Sequence, residues 1–144
     1  MHAPATAHAA TFDNLPHFLR FIDEFCARID ANTDINYALR LAVEEVCTNL
    51  IEYGYAGLPP GPIEVTAERG DDRVTLTIRD RAPPFDPANS PAPDLTSDLE
   101  HRQPGGLGWY LVKQLIDEVR YTADPRLGNV LTLVKMTGSS RDVR

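Results

Sequence analysis

The chain has 144 residues and a mass of 16.0 kDa, which is the usual size of one globular domain with one core. Hydrophobic residues make up 42% and charged residues 24%, as in ordinary globular domains, and no stretch approaches the roughly 18 apolar residues of a membrane span. The formal net charge of -7 and the sequence pI of about 5.0 argue against nucleic acid or an anionic membrane as the main partner.

The N-terminal residues and the two cysteines indicate the cellular compartment in which the protein is expected. Residues 1–10 have neither the basic start nor the apolar stretch of a secretory signal, and their lack of pattern predicts a disordered end. Cys26 and Cys47 fall within helical patterns and match no metal-ligand spacing, which favours a reduced pair. We therefore expect a single domain over residues 1–144 in the cytoplasm.

Two amphipathic helices are predicted in the first half of the chain. Before these helices, Thr11 and Phe12 favour the start of an edge strand. Apolar residues recur at helical spacing over residues 15–29, with Pro16 in the first turn. The second helix spans about 34–53, and Gly54 or Gly57 ends it.

The second half predicts a hairpin, a third helix and two more strands. Residues 63–69 and 73–80 alternate between apolar and polar around a Gly-Asp-Asp turn. A helix over 107–117 and strands over 119–123 and 130–136 follow. Because helices do not alternate singly with strands, the order predicts an α+β fold, a two-layer α/β sandwich with a mostly antiparallel sheet and helices on one face.

A proline-rich segment separates the hairpin from the third helix. Half of the twelve prolines fall between residues 81 and 104, which excludes a regular element there. A loop of this length inside a compact domain is either functional or disordered.

The second predicted helix carries a carboxylate and an amide one turn apart. Glu45 and Asn49 stand at i and i+4, so they share one side of the helix. Glutamate is a plausible general base, and an amide oxygen suits Mg²⁺, which takes few protein ligands beside phosphate oxygens. An isolated pair of this kind is more often a solvated polar face.

Two further features border the proline-rich loop. Asp80 ends the second hairpin strand and is either a turn residue or a carboxylate at the floor of a pocket. Gly105, Gly106 and Gly108 open the third helix, where the backbone can approach an anion and the helix N-terminus favours phosphate. Alone, such glycines also fit an ordinary flexible helix start.

Taken in order, these motifs resemble the Bergerat-fold (GHKL) ATP-binding superfamily, and within it the bacterial anti-sigma factor serine kinases of the RsbW type. The resemblance covers residues 11–137. The matching stretches are VEEVCTNLIEYGYAG (43–57), LTIRDRAPPFDP (76–87) and GGLGWYLVKQLIDEVRY (105–121).

The resemblance implies roles for the α-helical pair and the strand-end carboxylate. Glu45 matches the glutamate that activates the hydroxyl of the protein substrate. Asn49 matches the asparagine that holds Mg²⁺ against the phosphates of ATP. Asp80 matches the aspartate that recognises the adenine amino group.

The same resemblance also implies a role for the segment that separates Asp80 from the third helix. The loop 81–104 would be the ATP lid. Gly106 and Gly108, with Leu107 between them and Gly105 beside them, match the phosphate-binding end of that lid.

Three positions depart from the family pattern. Ala82 stands where the family often has glycine near the adenine, and Tyr53 stands where it often has histidine. Arg102 is the candidate for the basic residue that the lid directs at the phosphates, although Pro104 intervenes.

The resemblance further implies a partner-switching kinase. Its substrate would be a STAS-domain anti-anti-sigma protein, its second partner a sigma factor or similar regulator, and its assembly a homodimer. Arg20, on the first helix, is the candidate partner contact, with an ordinary solvated arginine as the alternative. Trp109 is expected in the core or under the lid.

Two other functional readings stay open at this point. One is an ATP-sensing module that sequesters its partner without kinase activity, against which the glutamate at position 45 argues. The other, the catalytic domain of a histidine kinase, is disfavoured because the chain has no room for a dimerising phosphoacceptor helix pair. Its four histidines also lie in no such context.

Overall fold

The computed structural model describes residues 3–84 and 106–138. Its helices are α1 (Leu15–Arg28), α2 (Thr33–Asn49) and α3 (Gly106–Leu115). Its strands are β1 (Ala5–Ala9), β2 (Pro62–Arg69), β3 (Arg73–Asp80), β4 (Glu118–Asp124) and β5 (Gly128–Met136). From α1 onward, the predicted order of helices and strands is confirmed, with bounds that differ by a few residues.

One antiparallel sheet forms the lower layer of the described residues. Its strand order is β1-β2-β3-β5-β4, so β3 lies at the centre. Alternate residues of β2, β3 and β5 are buried, while those between them, apart from buried Val134, are half-buried or exposed. The helices cover the buried face, and the predicted α+β two-layer sandwich is confirmed. The buried residues on that face include Ile63, Val65, Ala67, Leu76, Ile78, Leu131 and Leu133.

The two long helices pack against each other and against the sheet. Pro16 occupies the first turn of α1, where its missing N–H has no partner to lose. Asn32 caps α2, and its side-chain oxygen accepts a hydrogen bond from the backbone nitrogen of Ile35 at 2.9 Å. An ion pair between Asp23 of α1 and Arg40 of α2 adds a contact at the half-exposed rim.

The N-terminal end differs from the prediction. Residues Ala5–Ala9 are not disordered: they form β1, which pairs with β2 from Ala5 opposite Thr66 to Ala9 opposite Pro62. The edge strand expected at Thr11 and Phe12 was also wrong, because Phe12–Asn14 forms a 3-10 turn. Small alanines carry almost no hydrophobic alternation, and pairing with a strand more than fifty residues away leaves no local signal.

Two turns shape the end of the sheet at which β3 ends and β5 begins. A π-helical turn, Leu50–Gly54, continues α2 directly and carries the chain toward β2. The turn between β4 and β5 ends at Gly128, whose φ of +83° favours glycine and where a Cβ would collide with the backbone oxygen of Asp80. Asn129, the second residue of β5, lies directly opposite Asp80.

Most of the predicted lid lies outside the described residues. The structure follows the chain from Asp80 to Pro84 and resumes at Gly106. The lid over 81–104 thus stays a prediction. No helix within the described ranges is long and apolar enough to cross a membrane.

Candidate active site

The last turn of α2 carries the predicted carboxylate and amide. Glu45 and Asn49 are both half-buried and lie one turn apart on α2. Burial raises the pKa of Glu45, the nearby amide of Asn49 opposes that rise, and repulsion from Glu44 and Glu52 adds to it. The carboxyl therefore holds its proton more tightly than a free glutamate, which brings it nearer to the range useful for a general base.

The first turn of α3 lies directly against this carboxylate. A Cβ on Gly108 would stand 2.6 Å from Oε1 of Glu45 and closer still to its Oε2 and Cδ. Glycine at 108 thus permits a contact that any side chain would block. The contact joins the catalytic candidate on α2 to the helix N-terminus at which the sequence predicts phosphate binding.

Asp80 lies at the floor of the site, at the end of the central strand. It is 8% exposed, and Oδ1 accepts hydrogen bonds from the backbone nitrogen of Ala82 at 2.9 Å and from Nδ2 of Asn129 at 2.7 Å. Burial raises the pKa of Asp80, and these two donors oppose the rise. Within the described residues Oδ2 accepts no hydrogen bond, so it is the oxygen available to a ligand donor.

Asn129 holds this carboxyl in place and was not predicted from the sequence. Its Nδ2 bonds both Oδ1 of Asp80 and, at 2.8 Å, the backbone oxygen of Ala82, while its Oδ1 accepts from the hydroxyl of Tyr121 at 2.9 Å. The signal was present in the strand alternation, because Asn129 shares the inward parity of Leu131 and is a polar residue at a core position.

Tyr55 is a second residue that the sequence reasoning missed. Its hydroxyl donates to the backbone oxygen of Pro62 at 2.8 Å and accepts from the backbone nitrogen of Arg81 at 2.7 Å. It thereby fastens the start of β2 to the residue that follows Asp80. The ring occupies the space beside Gly61, where a Cβ would lie 2.5 Å from Cε1 of Tyr55.

Ala82 acts on the site through its backbone. It is 7% exposed and packs against the π-helical turn, where a Cβ on Gly54 would lie 3.4 Å from its methyl group. Because Gly54 has no side chain, it leaves room for the methyl group of Ala82. Glycine is the residue that the family often has at the position of Ala82. Tyr53, the other departure within the described residues, is 57% exposed and tolerated at the surface.

The remaining predicted residues divide into three groups. Gly106 and Leu107 begin α3, immediately before the contact with Glu45. Arg20 is exposed on α1 beside a groove of about 360 Å³ and is not among the residues that these contacts bring together. Gly105 and Arg102 lie outside the described residues.

The donor set suits a nucleotide with Mg²⁺. Residues 3–84 and 106–138 contain no cluster of three or more histidine, cysteine or acidic side chains that could enclose a metal. A single amide such as Asn49 beside one carboxylate matches Mg²⁺, whose other ligands are waters and phosphate oxygens. The N-terminus of α3 at Gly108 suits a phosphate. At the other end of the site, Oδ2 of Asp80, which accepts no hydrogen bond from the described residues, suits a ligand donor.

The chain is similar over most of its length to curated anti-sigma factors and serine kinases. An anti-sigma F factor of Halalkalibacterium halodurans is 25% identical over 122 residues, covering 85% of this chain and 84% of that protein. A serine-protein kinase RsbW of Bacillus licheniformis is 30% identical over 109 residues, covering 72% of this chain and 66% of that one. A serine/threonine-protein kinase BtrW of Bordetella bronchiseptica is 24% identical, covering 72% of each chain.

A solved structure and a family model agree on the fold. The crystal structure of the RsbU and RsbW domains of a Mycobacterium tuberculosis protein matches 92% of this chain with a TM-score of 0.62 and 22% identity. This chain spans only 32% of the length of that one. The model of the histidine kinase-like ATPase domain matches residues 8–135. The chain therefore belongs to the family of histidine kinase-like ATPase domains, as the ordered motifs predicted.

Proposed function

We propose that this protein is an ATP-dependent serine/threonine kinase and a partner-switching anti-sigma factor. The relatives named anti-sigma F factor, RsbW and BtrW support both activities. The observation that best supports the proposal is the close approach of the Glu45 carboxylate to Gly108, because a carboxylate suited to act as a general base then lies beside a helix N-terminus, which favours phosphate.

The residues of the candidate active site each have a proposed role in this chemistry. Oδ2 of Asp80 accepts from the amino group of adenine, and Asn129 keeps that carboxyl aimed by holding Oδ1. Asn49 would hold Mg²⁺, and the backbone amides at the start of α3 would bind the phosphates. ATP with Mg²⁺ supplies the transferable phosphoryl group and neutralises its charge.

The base is Glu45. Phosphoryl transfer depends mainly on positioning and charge neutralisation, so one oriented base suffices. Since burial raises the pKa of Glu45, its carboxylate accepts a hydroxyl proton more readily than an exposed glutamate does. The serine must come from a partner, for which we propose a STAS-domain anti-anti-sigma protein.

Phosphorylation then changes which partner is held. A phosphoserine adds about two negative charges at the interface with a chain that already carries a net charge of -7. The modified substrate is released, and the sigma factor or similar regulator competes for the protein. Arg20 is the proposed charged contact, because it is exposed on α1 beside a groove between α1 and α2.

The direct test is phosphate transfer. The protein is incubated with ATP, Mg²⁺ and STAS-domain proteins of the same organism, and phosphoserine is measured by mass spectrometry. We expect transfer with the wild type, none with Glu45→Gln, and neither transfer nor Mg²⁺-ATP binding with Asn49→Ala. If the wild type binds ATP and transfers nothing to any of them, the protein is an ATP-sensing module that sequesters its partner.

Assembly and the partner face are tested separately. We propose a homodimer, and light scattering that gives a monomer at micromolar concentration would contradict it. Arg20→Ala is expected to weaken binding of the partner with unchanged nucleotide affinity, and Arg28→Ala, at the other end of α1, serves as the matched control.

A further inference from the structure

The indole of Trp109 carries an unpaired donor in the protein interior. Trp109 is 5% exposed, and its Nε1 is the one buried side-chain nitrogen or oxygen without a hydrogen-bond partner in residues 3–84 and 106–138. Buried indole N–H groups usually find an acceptor, and an unpaired one destabilises the folded state. An acceptor that arrives with a ligand would remove this destabilisation.

The position of the indole indicates which ligand. Trp109 directly follows Gly108, whose backbone abuts the Glu45 carboxylate. Buried Val112 and Ile116 follow it at i+3 and i+7, so the indole lies on the inward face of α3. Helical side chains tilt toward the N-terminus of their helix, and here that end is the one that borders the candidate active site.

We propose that the indole N–H of Trp109 donates a hydrogen bond to the adenine nucleotide bound in this site, directly or through one water. Trp109 is then a nucleotide-binding residue of α3, and its unpaired donor belongs to the unliganded state. This inference rests on the proposed function, because it requires a nucleotide between α2 and α3.

The test removes the donor and keeps the bulk. Trp109→Phe retains a large aromatic ring, and dissociation constants for adenosine, ADP and ATP are measured by calorimetry beside the wild type. We expect the affinity of the variant to fall about threefold to tenfold. Its melting temperature without nucleotide should equal or exceed that of the wild type, because no unpaired donor remains.

Fluorescence gives a second readout. Trp109 is the only tryptophan of the chain, so the wild-type emission reports on this indole alone, and we expect it to change on nucleotide addition. Loss of affinity with adenosine would place the acceptor on the nucleoside, and loss with ADP and ATP alone would place it on the phosphates. Phe25→Leu, a core change in α1, should lower the melting temperature and leave the affinities unchanged.

The outcomes separate this inference from the function on which it rests. If the wild type binds a nucleotide and Trp109→Phe binds all three ligands equally well, the inference is wrong and the proposed function stands. If the wild type binds none of them, both are wrong. Should Trp109→Phe fail to fold, benzothienylalanine at this position repeats the comparison, because it keeps the two-ring shape and replaces N–H with sulfur.

Discussion

Replacing Gly108 with alanine perturbs the contact between α2 and α3 at one atom. The added Cβ would stand 2.6 Å from Oε1 of Glu45, whereas ordinary van der Waals contact begins at 3.4 Å. Since Oε2 and Cδ would be closer still, the carboxyl group has to move by roughly 1 Å. The obstacle is the far end of a flexible side chain, so the backbone of α3 can stay in place.

The effects on stability and on activity should therefore separate. Gly108 is helical and is not among the glycines with positive φ, so alanine at this position should stabilise the helix by about 0.5–1 kcal/mol. This gain offsets part of the free energy lost when the Glu45 side chain moves. A displacement of about 1 Å in a catalytic group lowers a reaction rate by about 100-fold. We expect Gly108→Ala to keep its melting temperature within a few degrees and to lose about 100-fold in phosphate transfer.

The assay compares transfer rate, nucleotide affinity and thermal unfolding. Gly70→Ala is the matched control, because a Cβ there meets only Arg73, its side chain at 3.3 Å and its backbone oxygen at 3.7 Å, on a turn outside the site. In a Glu45→Ala background the obstructing carboxylate is gone, so Gly108→Ala should change nucleotide affinity less than it does in the wild type. Wild-type transfer by Gly108→Ala, or equal effects in both backgrounds, would refute the reasoning.

Four further predictions concern the site and the residues that support it. Because burial raises the pKa of Glu45 above 4.5, transfer should fall as the pH drops through that raised pKa, and kcat/KM measured against pH should show an acid limb above pH 4.5. The folded state then binds this proton more tightly than the unfolded chain, so the ionised carboxylate destabilises the folded state at pH 7. Glu45→Gln should therefore raise the melting temperature at pH 7, and this gain should be lost below pH 4, where Glu45 is protonated. An equal gain at both pH values would contradict the raised pKa. Asn129→Ala leaves Oδ1 of Asp80 with one donor fewer and should lower the free energy of unfolding by about 1–3 kcal/mol in urea titrations, with weaker binding of adenosine. Gly61→Ala puts a methyl group 2.5 Å from the ring of Tyr55 and should destabilise the protein by about 1–3 kcal/mol, whereas an unchanged urea midpoint would show that the ring can move.

Local periodicity accounts for what the sequence determined. Helical spacing placed Glu45 and Asn49 one turn apart, and strand alternation placed Asp80 on the inner face of β3. Each of these features depends on residues close in the chain, so a single sequence carries the signal. The order of the predicted helices and strands led to the correct fold class, and the order of the motifs led to the correct family.

Tertiary structure decided the contacts between distant segments. The alignment of β5 with β3 brings Asn129 to Asp80, and Gly128 permits that approach because it has no Cβ. The pairing that makes Ala5–Ala9 a strand likewise depends on a partner far along the chain. The meeting of Gly108 with Glu45 depends on how α2 and α3 pack, since spacing along one helix fixes its own face and not the neighbour that covers it.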